Sequence, residues 1–260
     1  MPISVFEPHV DVPRLFNRMF PARSLERAFI TLALFVSIAG CARMPAAPEP
    51  PPPPVTQIRV IPVLPIDRLR TENKGIPVGV LWQSLADRIK SNIFNEQMES
   101  TRLSLGPAFT RALVEALEAQ GFQASVLEGV ERPPASPDDI DYARIPGADP
   151  VLHVYIFELG MHSARFSLDY VPRVNLSASL LWPKSGDLIY GDSIYYGADA
   201  KGNSPTSVPG DPRFKWSSFG ALTDDPKAVA QSYEVAVDVL AKHIAAQIHE
   251  ATKPATTTGD

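Results

Sequence analysis

The 260-residue chain has a formal net charge of −5, 45% hydrophobic residues and one cysteine. This acidic balance offers no basic surface of the kind that binds nucleic acid, so we expect no nucleic-acid partner. A single cysteine also excludes a disulfide within the chain. If the domain is exported, this cysteine is an unexplained free thiol unless a modification uses it.

The N-terminal region is predicted to be an export signal. Residues 28–41 form an uncharged, mostly apolar run that follows four arginines and ends in small residues, which is typical of a secretory signal. The stretch up to the next charge, at Arg43, is shorter than the roughly 20 apolar residues of a permanent membrane span. We therefore assign residues 1–40 to a cleaved signal peptide that starts at Met1 or at Met19.

Residues 38–41 read Ile-Ala-Gly-Cys and resemble the lipobox of bacterial lipoproteins. In that family the cysteine is lipidated and becomes the new N-terminus, which implies that Cys41 carries the lipid. The alternative is a signal peptide that merely contains a cysteine. An aspartate after the cysteine favours inner-membrane retention in that family, whereas Ala42 stands here. The resemblance thus implies a protein that is lipid-anchored in the outer membrane and faces the periplasm.

Residues 41–56 are predicted to be a spacer. Seven of the ten residues from 45 to 54 are proline, which favours an extended polyproline segment over a packed core. At about 3.1 Å per residue, this segment holds the next domain on the order of 30 Å from the lipid head groups. The rest suits one domain, which we assign to residues 57–252, with a disordered tail at 253–260.

The domain is predicted to open with a strand and an amphipathic helix. Residues 57–64 alternate and are β-branched, while Pro62 and Pro65 indicate an edge position or an early end. Residues 78–98 show an apolar spacing of four, which predicts a helix. Its predicted buried stripe is Leu81, Leu85, Ile89 and Ile93.

A helix-to-strand unit is predicted next. Pro107 suits the first turn of a helix that ends at Gln120, and a strand follows over residues 122–127. The predicted buried positions of this helix are Phe109, Leu113, Ala116 and Leu117. The acid- and proline-rich stretch 131–149 lacks the ligand spacing of an EF-hand, so we favour a solvated loop with a short helical turn over a cation site.

The second half is predicted to contain a central strand, a hairpin and a long helix. Residues 151–159 are apolar on both faces, which favours the middle of a covered sheet. Residues 173–182 and 188–196 alternate and flank a five-residue turn, which indicates an antiparallel hairpin. Asp225 caps the last helix. The predicted stripe of that helix is Val229, Tyr233, Ala236, Val237, Leu240, Ile244 and Ile248.

Residues 191–194, Gly-Asp-Ser-Ile, resemble the nucleophile block of the GDS-type esterases and lipases, with Ser193 as the nucleophile. In that family the block ends the first strand, and a later Asp-x-x-His motif supplies the base. Here the block lies in the second arm of a hairpin, and Asp238 and His243 are spaced differently on a helix. We therefore expect a non-enzyme and keep the esterase as an unfavoured alternative.

His153 and His162 flank Glu158, which makes a metal site the second chemical alternative. Nine residues of straight strand separate the two imidazoles by roughly 30 Å, so they cannot share an ion unless the chain folds back at Gly160. The sequence contains no zinc-ligand spacing and no glycine-rich phosphate loop. We expect neither a metal nor a cofactor.

Residues 198–224 form a long connection with a basic and aromatic cluster. The cluster consists of Arg213, Phe214, Lys215, Trp216 and Phe219, of which Arg213, Phe214, Trp216 and Phe219 are the candidate partner-binding residues. Such a cluster is unlike a solvating linker, and two interpretations remain open. Trp216 and Phe219 fold back onto the sheet as core, or the cluster anchors a partner, since exposed aromatics and arginine are favoured in binding hot spots.

The order of these elements resembles a group of outer-membrane lipoprotein domains. Its landmarks include a Gly-Ala-Asp turn at 147–149 before the central strand and the Lys-Ser-Gly-Asp turn at 184–187. The group comprises curli-secretion-type lipoproteins, small uncharacterised surface lipoproteins and the auxiliary lipoproteins of ABC-type lipid transporters. The resemblance implies an α/β (α+β) domain, a mixed sheet of about four to five strands with helices packed on it.

That resemblance also implies a role. We expect a non-catalytic binding or assembly lipoprotein that serves an envelope transport or secretion system and has an envelope protein as partner. Long amphipathic hairpins that would span a membrane are missing from the sequence, so pore formation is not expected. The alternative within this group is a lipid-transport auxiliary protein with an apolar cavity. The oligomeric state stays open.

Overall fold

A computed structural model of the chain describes residues 53–73, 80–163, 167, 169–200 and 204–253. The predicted signal peptide with both candidate start codons, Cys41 and the tether up to residue 52 lie outside the described residues. The tail from residue 254 onward also lies outside them, as do the side chains of Leu81 and Leu85.

Seven strands, four α-helices and a short 3-10 helix at Tyr142–Arg144 form within these ranges. The strands are β1 (Gln57–Val60), β2 (Arg70–Asn73), β3 (Gln123–Val126), β4 (Val151–Ser163), β5 (Tyr170–Leu181), β6 (Leu188–Gly197) and β7 (Ser207–Pro209). The helices are α1 (Val80–Gln97), α2 (Glu99–Ala119), α3 (Phe219–Asp224) and α4 (Pro226–Ala251). None of these helices combines the length and apolar character that a bilayer crossing requires.

The strands belong to one mixed sheet with the order β3-β1-β4-β5-β6-β7, in which β2 also pairs with β4. β1 pairs in parallel with β3 and β4, β2 with β4, and β6 with β7, while β5 is antiparallel to both of its neighbours. The predicted fold class and hairpin are confirmed. The described sheet has more strands than expected because β2 and β7 are only four and three residues long and lack apolar alternation.

β1 ends at Val60, before Pro62, so the prolines mark an early end as one of the two predicted alternatives. The edge position is wrong, because β1 lies between β3 and β4. Beyond Val60 the chain leaves the sheet and returns to it only at Arg70, where β2 begins.

β4 is the central strand, as predicted, but its middle is not covered on both faces. Tyr155 is 37% exposed and Phe157 is 53% exposed. A β-bulge between Ile156 and Glu158 places one extra residue of β4 opposite β5. Leu159 was expected on the same face as Tyr155, but the bulge reverses the alternation and Leu159 packs in the main core.

The main core lies between one face of the sheet and the helices α2 and α4, which pack against each other. All seven predicted stripe residues of α4 are buried, and so are the four predicted for α2. Asp225 caps α4 as predicted, since its carboxylate accepts a hydrogen bond from the Ala228 N–H. A smaller apolar cluster packs beneath the loop between β3 and β4, and consists of Ile61, Leu127, Ile140, Ile145 and Val151.

Two helix predictions need correction. Helix α2 begins at Glu99 and continues through Pro107, which lies inside the helix and does not open it. In α1 the predicted stripe is wrong at Ile89 and Ile93, which are 54% and 50% exposed. The buried face of this helix instead contains Ser91 and Phe94, because α1 packs on β2 and the polar Ser91 finds a hydrogen-bond partner there in Thr71.

The long connection 198–224 contains β7 and α3, and two of its aromatic side chains pack in the core. Phe214 and Trp216 are both buried in the main cluster, where their rings stack with centroids 6.3 Å apart. The backbone of Trp216 pairs with Tyr170 through hydrogen bonds of 2.7 and 3.0 Å. Phe219 is partly buried against the same cluster. This placement favours the interpretation that the rings are core.

Candidate functional site

The site begins with an interruption along one edge of β4. β1 pairs with β4 at Val151 and Leu152, and β2 pairs with it from Gly160 to Ser163. Among the described residues no strand pairs with this edge between those two points. We call the region the β4 gap: it comprises residues 153–159 of β4 and the facing segment 63–70, and it extends over roughly 20 Å of strand.

The facing segment leaves the sheet because its backbone is held by the helices. The Val63 N–H donates to Thr110 Oγ1 at 2.9 Å, and the Ile66 N–H donates to the Arg102 carbonyl at 3.1 Å. The Leu69 N–H donates to Asn95 Oδ1 at 2.7 Å. These partners lie on α1 and α2. Three backbone amides of the segment therefore find their partners on the helices and not on β4.

Gly106 of α2 allows this close approach. A Cβ atom at that position would lie 2.6 Å from the carbonyl oxygen of Val63 and would also overlap the Leu64 carbonyl group. Both contacts involve backbone, which cannot move aside as a side chain can. The glycine thus lets residues 63 and 64 lie directly against the helix, away from the β4 edge.

Two β4 residues direct their backbone polar groups into the gap. The Leu152 carbonyl faces the β1 side, where it accepts a hydrogen bond from the Ile61 N–H at 2.9 Å. Because backbone groups alternate between the two edges of a strand, those of Val154 and Ile156 face the same side. No backbone hydrogen bond joins either residue to segment 61–69 within the described chain. Val154 is only 1% exposed, so of the two only Ile156, which is half-buried, is accessible from the gap.

The gap opens beside an exposed pair of aromatic rings. A cleft of about 510 Å³ lies between the segment 63–70 and residues 155–159 of β4, and Pro137 and Asp138 of the preceding loop also line it. The rings of Tyr155 and Phe157 lie 6.1 Å apart, centroid to centroid. The cleft thus combines an open strand edge with apolar contact surface.

Polar side chains of β4 make contacts on either side of the aromatic pair. At one end Asn175 Nδ2 donates to Glu158 Oε2 at 2.5 Å, and Glu158 lies 3.6 Å from His162 Nε2. The other nitrogen of His162 is 3.3 Å from Glu72 of β2. The buried His162 therefore connects the end of the gap to the strand that closes it.

At the other end His153 shares a 2.7 Å hydrogen bond with the Tyr142 hydroxyl, and its Nε2 lies 3.5 Å from Asp138. Burial lowers the pKa of His153 and outweighs the opposing effect of the Asp138 carboxylate. Burial, assisted by the charge of Asp138, raises the pKa of Tyr142. Both rings are thus neutral near pH 7, which suits their position beneath an apolar surface.

The residues predicted from sequence to carry chemistry are spread over the fold. Ser193 is exposed in the middle of β6, opposite Ser177 of β5. β4 continues through Gly160 without folding back, so His153 and His162 have separate surroundings. Among the described residues no group of three or more His, Cys, Asp or Glu side chains could hold a metal ion.

In the predicted cluster the two basic side chains are largely exposed, and each forms an ion pair: Arg213 with Asp211 at 2.5 Å and Lys215 with Asp169 at 2.9 Å. Lys90 lies 5.6 Å from the ring centroid of Phe219. Partner binding by this cluster stays a prediction, and any partner would meet little of Phe214 or Trp216.

Sequence reasoning missed Tyr155 and Phe157, which it assigned to a covered strand. The residue pattern of β5, the next strand, could have indicated that this face is exposed. On β5 the residues of the same sheet face are Asn175, Ser177 and Ser179, whereas their neighbours on the other face are apolar. Such alternation indicates that this side of the sheet is open to water beside the gap.

Comparison with known proteins gives weak similarity. No protein-family model and no curated protein matches the chain. Among solved structures it is similar to protein XCC0632 of Xanthomonas campestris, of the family model DUF330, at 15% identity over 78% of this chain and 90% of that chain, with a TM-score of 0.39. It is also similar to lipoprotein GNA1162 of Neisseria meningitidis at 16% identity over 54% and 81% of the two chains, with a TM-score of 0.30.

A third similar structure is the PelC dodecamer of Paraburkholderia phytofirmans, at 12% identity over 57% of this chain and 76% of that chain, with a TM-score of 0.28. Structural neighbours of the chain therefore include a protein named as a lipoprotein. Similarities at this level assign neither a family nor a function.

Proposed function

We propose that this chain is a lipid-anchored, non-catalytic binding protein of the bacterial envelope. The observation that carries the binding role is the β4 gap, where an open strand edge lies beside the exposed rings of Tyr155 and Phe157. Exposed aromatic side chains next to a preformed cleft are typical of surfaces that bind other molecules.

The anchoring part of the proposal rests on the sequence. Residues 38–41 place the single cysteine directly after an apolar export signal, and the proline-rich residues 45–54 separate it from the folded domain. A spacer of this kind lets the domain reach a partner while Cys41 stays in the membrane. With Ala42 after the cysteine, the outer membrane is the proposed location and an envelope transport or secretion system the proposed setting.

Replacement of the lipidation residue tests the anchor. We expect Cys41→Ser to abolish incorporation of labelled palmitate, because the thiol that receives the lipid is lost. The fold should survive, since Cys41 precedes the folded domain, and circular dichroism of the purified chain checks this. Ala47→Ser, in the same tether, is the matched control and should label normally. Undiminished palmitate incorporation into the Cys41→Ser chain would refute the anchor.

Photo-crosslinking tests the binding role. In the full chain produced in its own bacterial host, Phe157 is replaced by p-benzoylphenylalanine, which keeps an aromatic ring at the gap. We expect a protein adduct after irradiation, because the ring would lie in the binding surface. The same replacement at Leu188, which is 63% exposed at the start of β6, is the control. Equal adduct yields at both positions, or none at position 157, would contradict the proposal.

A further inference from the structure

We infer that the β4 gap binds one extended peptide segment of a partner protein, which adds to β4 as a strand between β1 and β2. This inference deepens the proposed binding function and rests on it. Its basis is the backbone of Ile156, which faces the gap, lines the cleft and has no backbone partner on the facing segment among the described residues, whereas the neighbouring Val154 is buried. Another polypeptide backbone supplies donors and acceptors at the spacing that such an edge requires.

The gap is suited to a single strand. On its far side lies the segment 63–70, which also lines the cleft and is held by α1 and α2. The edge of a second folded copy would bring its own neighbouring strand, which would collide with this segment. A lone extended segment avoids that collision because it has no neighbour of its own.

The chain's own proline-rich tether is a poor occupant. Residues 50–54 are all proline, and two more prolines lie between residues 45 and 49. Proline has no backbone N–H, so this stretch cannot supply the donor that the carbonyl group of Ile156 requires. The occupant must therefore come from a sequence with free backbone amides.

The surroundings of the gap also indicate what the peptide contains. Side chains of an added strand alternate between the two faces of the sheet, and those on the open face would lie beside Tyr155 and Phe157. Those on the other face would point toward the helix layer, where Val63 and Ile66 are buried. We expect apolar or aromatic residues at every second position on the open side, with main-chain bonds supplying much of the affinity.

The test uses the full chain and a phage-displayed library of random ten-residue peptides. We expect the library to yield peptides with alternating apolar residues, and we expect their synthetic forms to bind the chain. Phe157→Ser should weaken binding by about tenfold or more, because an aromatic contact at the centre of the site is lost. Leu188→Ser removes an exposed apolar residue outside the gap and should leave affinity unchanged.

N-methylation of the synthetic peptides gives a second readout that needs no variant of the protein. Only one edge of the added strand faces β4, so methylation of alternate amides should abolish binding while methylation of the intervening amides should not. Peptides that tolerate methylation at every position, or a library that yields no binder, would overturn strand addition. A position-157 crosslink that persists in either case would leave the binding role in place, so the two failures are distinguishable.

Discussion

Trp216→Ala should destabilise the domain strongly, by about 3–5 kcal/mol, because truncation of a buried tryptophan removes apolar contacts and leaves a cavity. Trp216 is only 7% exposed, stacks on Phe214 and lies in the main core. For a domain of about 200 residues each kcal/mol lowers the melting temperature by roughly 2–4 °C. Urea and thermal unfolding of the purified chain measure the effect.

Arg213→Ala is the control for this substitution. It removes a neighbouring member of the same predicted cluster, but the Arg213 side chain is 72% exposed and pairs with Asp211 at the surface. Its unfolding midpoint should match that of the unaltered chain. Unchanged stability of the Trp216→Ala chain together with a lost partner would instead support the alternative that this cluster is a binding site.

Gly106→Ala should also destabilise the domain, by about 1–3 kcal/mol, although alanine is the better helix former. The added Cβ would lie 2.6 Å from the Val63 carbonyl oxygen. The contact is with backbone, so either α2 or residues 63 and 64 would have to shift. The clash would push the segment 63–70 away from α2, so peptide binding in the β4 gap should weaken as well. Chemical unfolding gives the first effect and peptide titration gives the second.

Gly220→Ala is the matched control, since Gly220 is also a helical glycine. Its added Cβ would meet nothing closer than Ser218 Oγ at 3.8 Å, which is an ordinary van der Waals contact. This substitution should leave stability unchanged or raise it by up to about 1 kcal/mol. If the Gly106→Ala chain were as stable as the Gly220→Ala chain, the proposed reason for the departure of segment 63–70 from the sheet would be wrong.

Periodicity in the sequence was sufficient to predict which residues are buried where an element buries one continuous stripe of side chains. The α4 prediction was confirmed at all seven stripe residues, and the hairpin of β5 and β6 was confirmed with its antiparallel pairing. In both cases the local pattern and the tertiary contacts require the same side chains to be buried. The pattern in the chain therefore predicts the packing.

Periodicity failed where a neighbouring element decides which face is covered. Ile89 and Ile93 of α1 form an apolar row, yet they are exposed because α1 turns Ser91 and Phe94 inward. Pro107 reads as a helix start, but packing of α2 against α4 supports the helix on both sides of it. The local sequence contains no information about which elements pack against these helices.

The sequence by itself determined the α/β fold class, and it predicts an export signal with one candidate lipid site at Cys41, a proline-rich spacer and a single domain, because composition and local periodicity carry that information. The tertiary structure decided where the candidate binding site lies. The bulge after Ile156 and the capture of residues 63–69 by helix backbone and side-chain groups leave the β4 edge open beside Tyr155 and Phe157. These contacts join residues far apart in the chain, so only the folded arrangement brings them together.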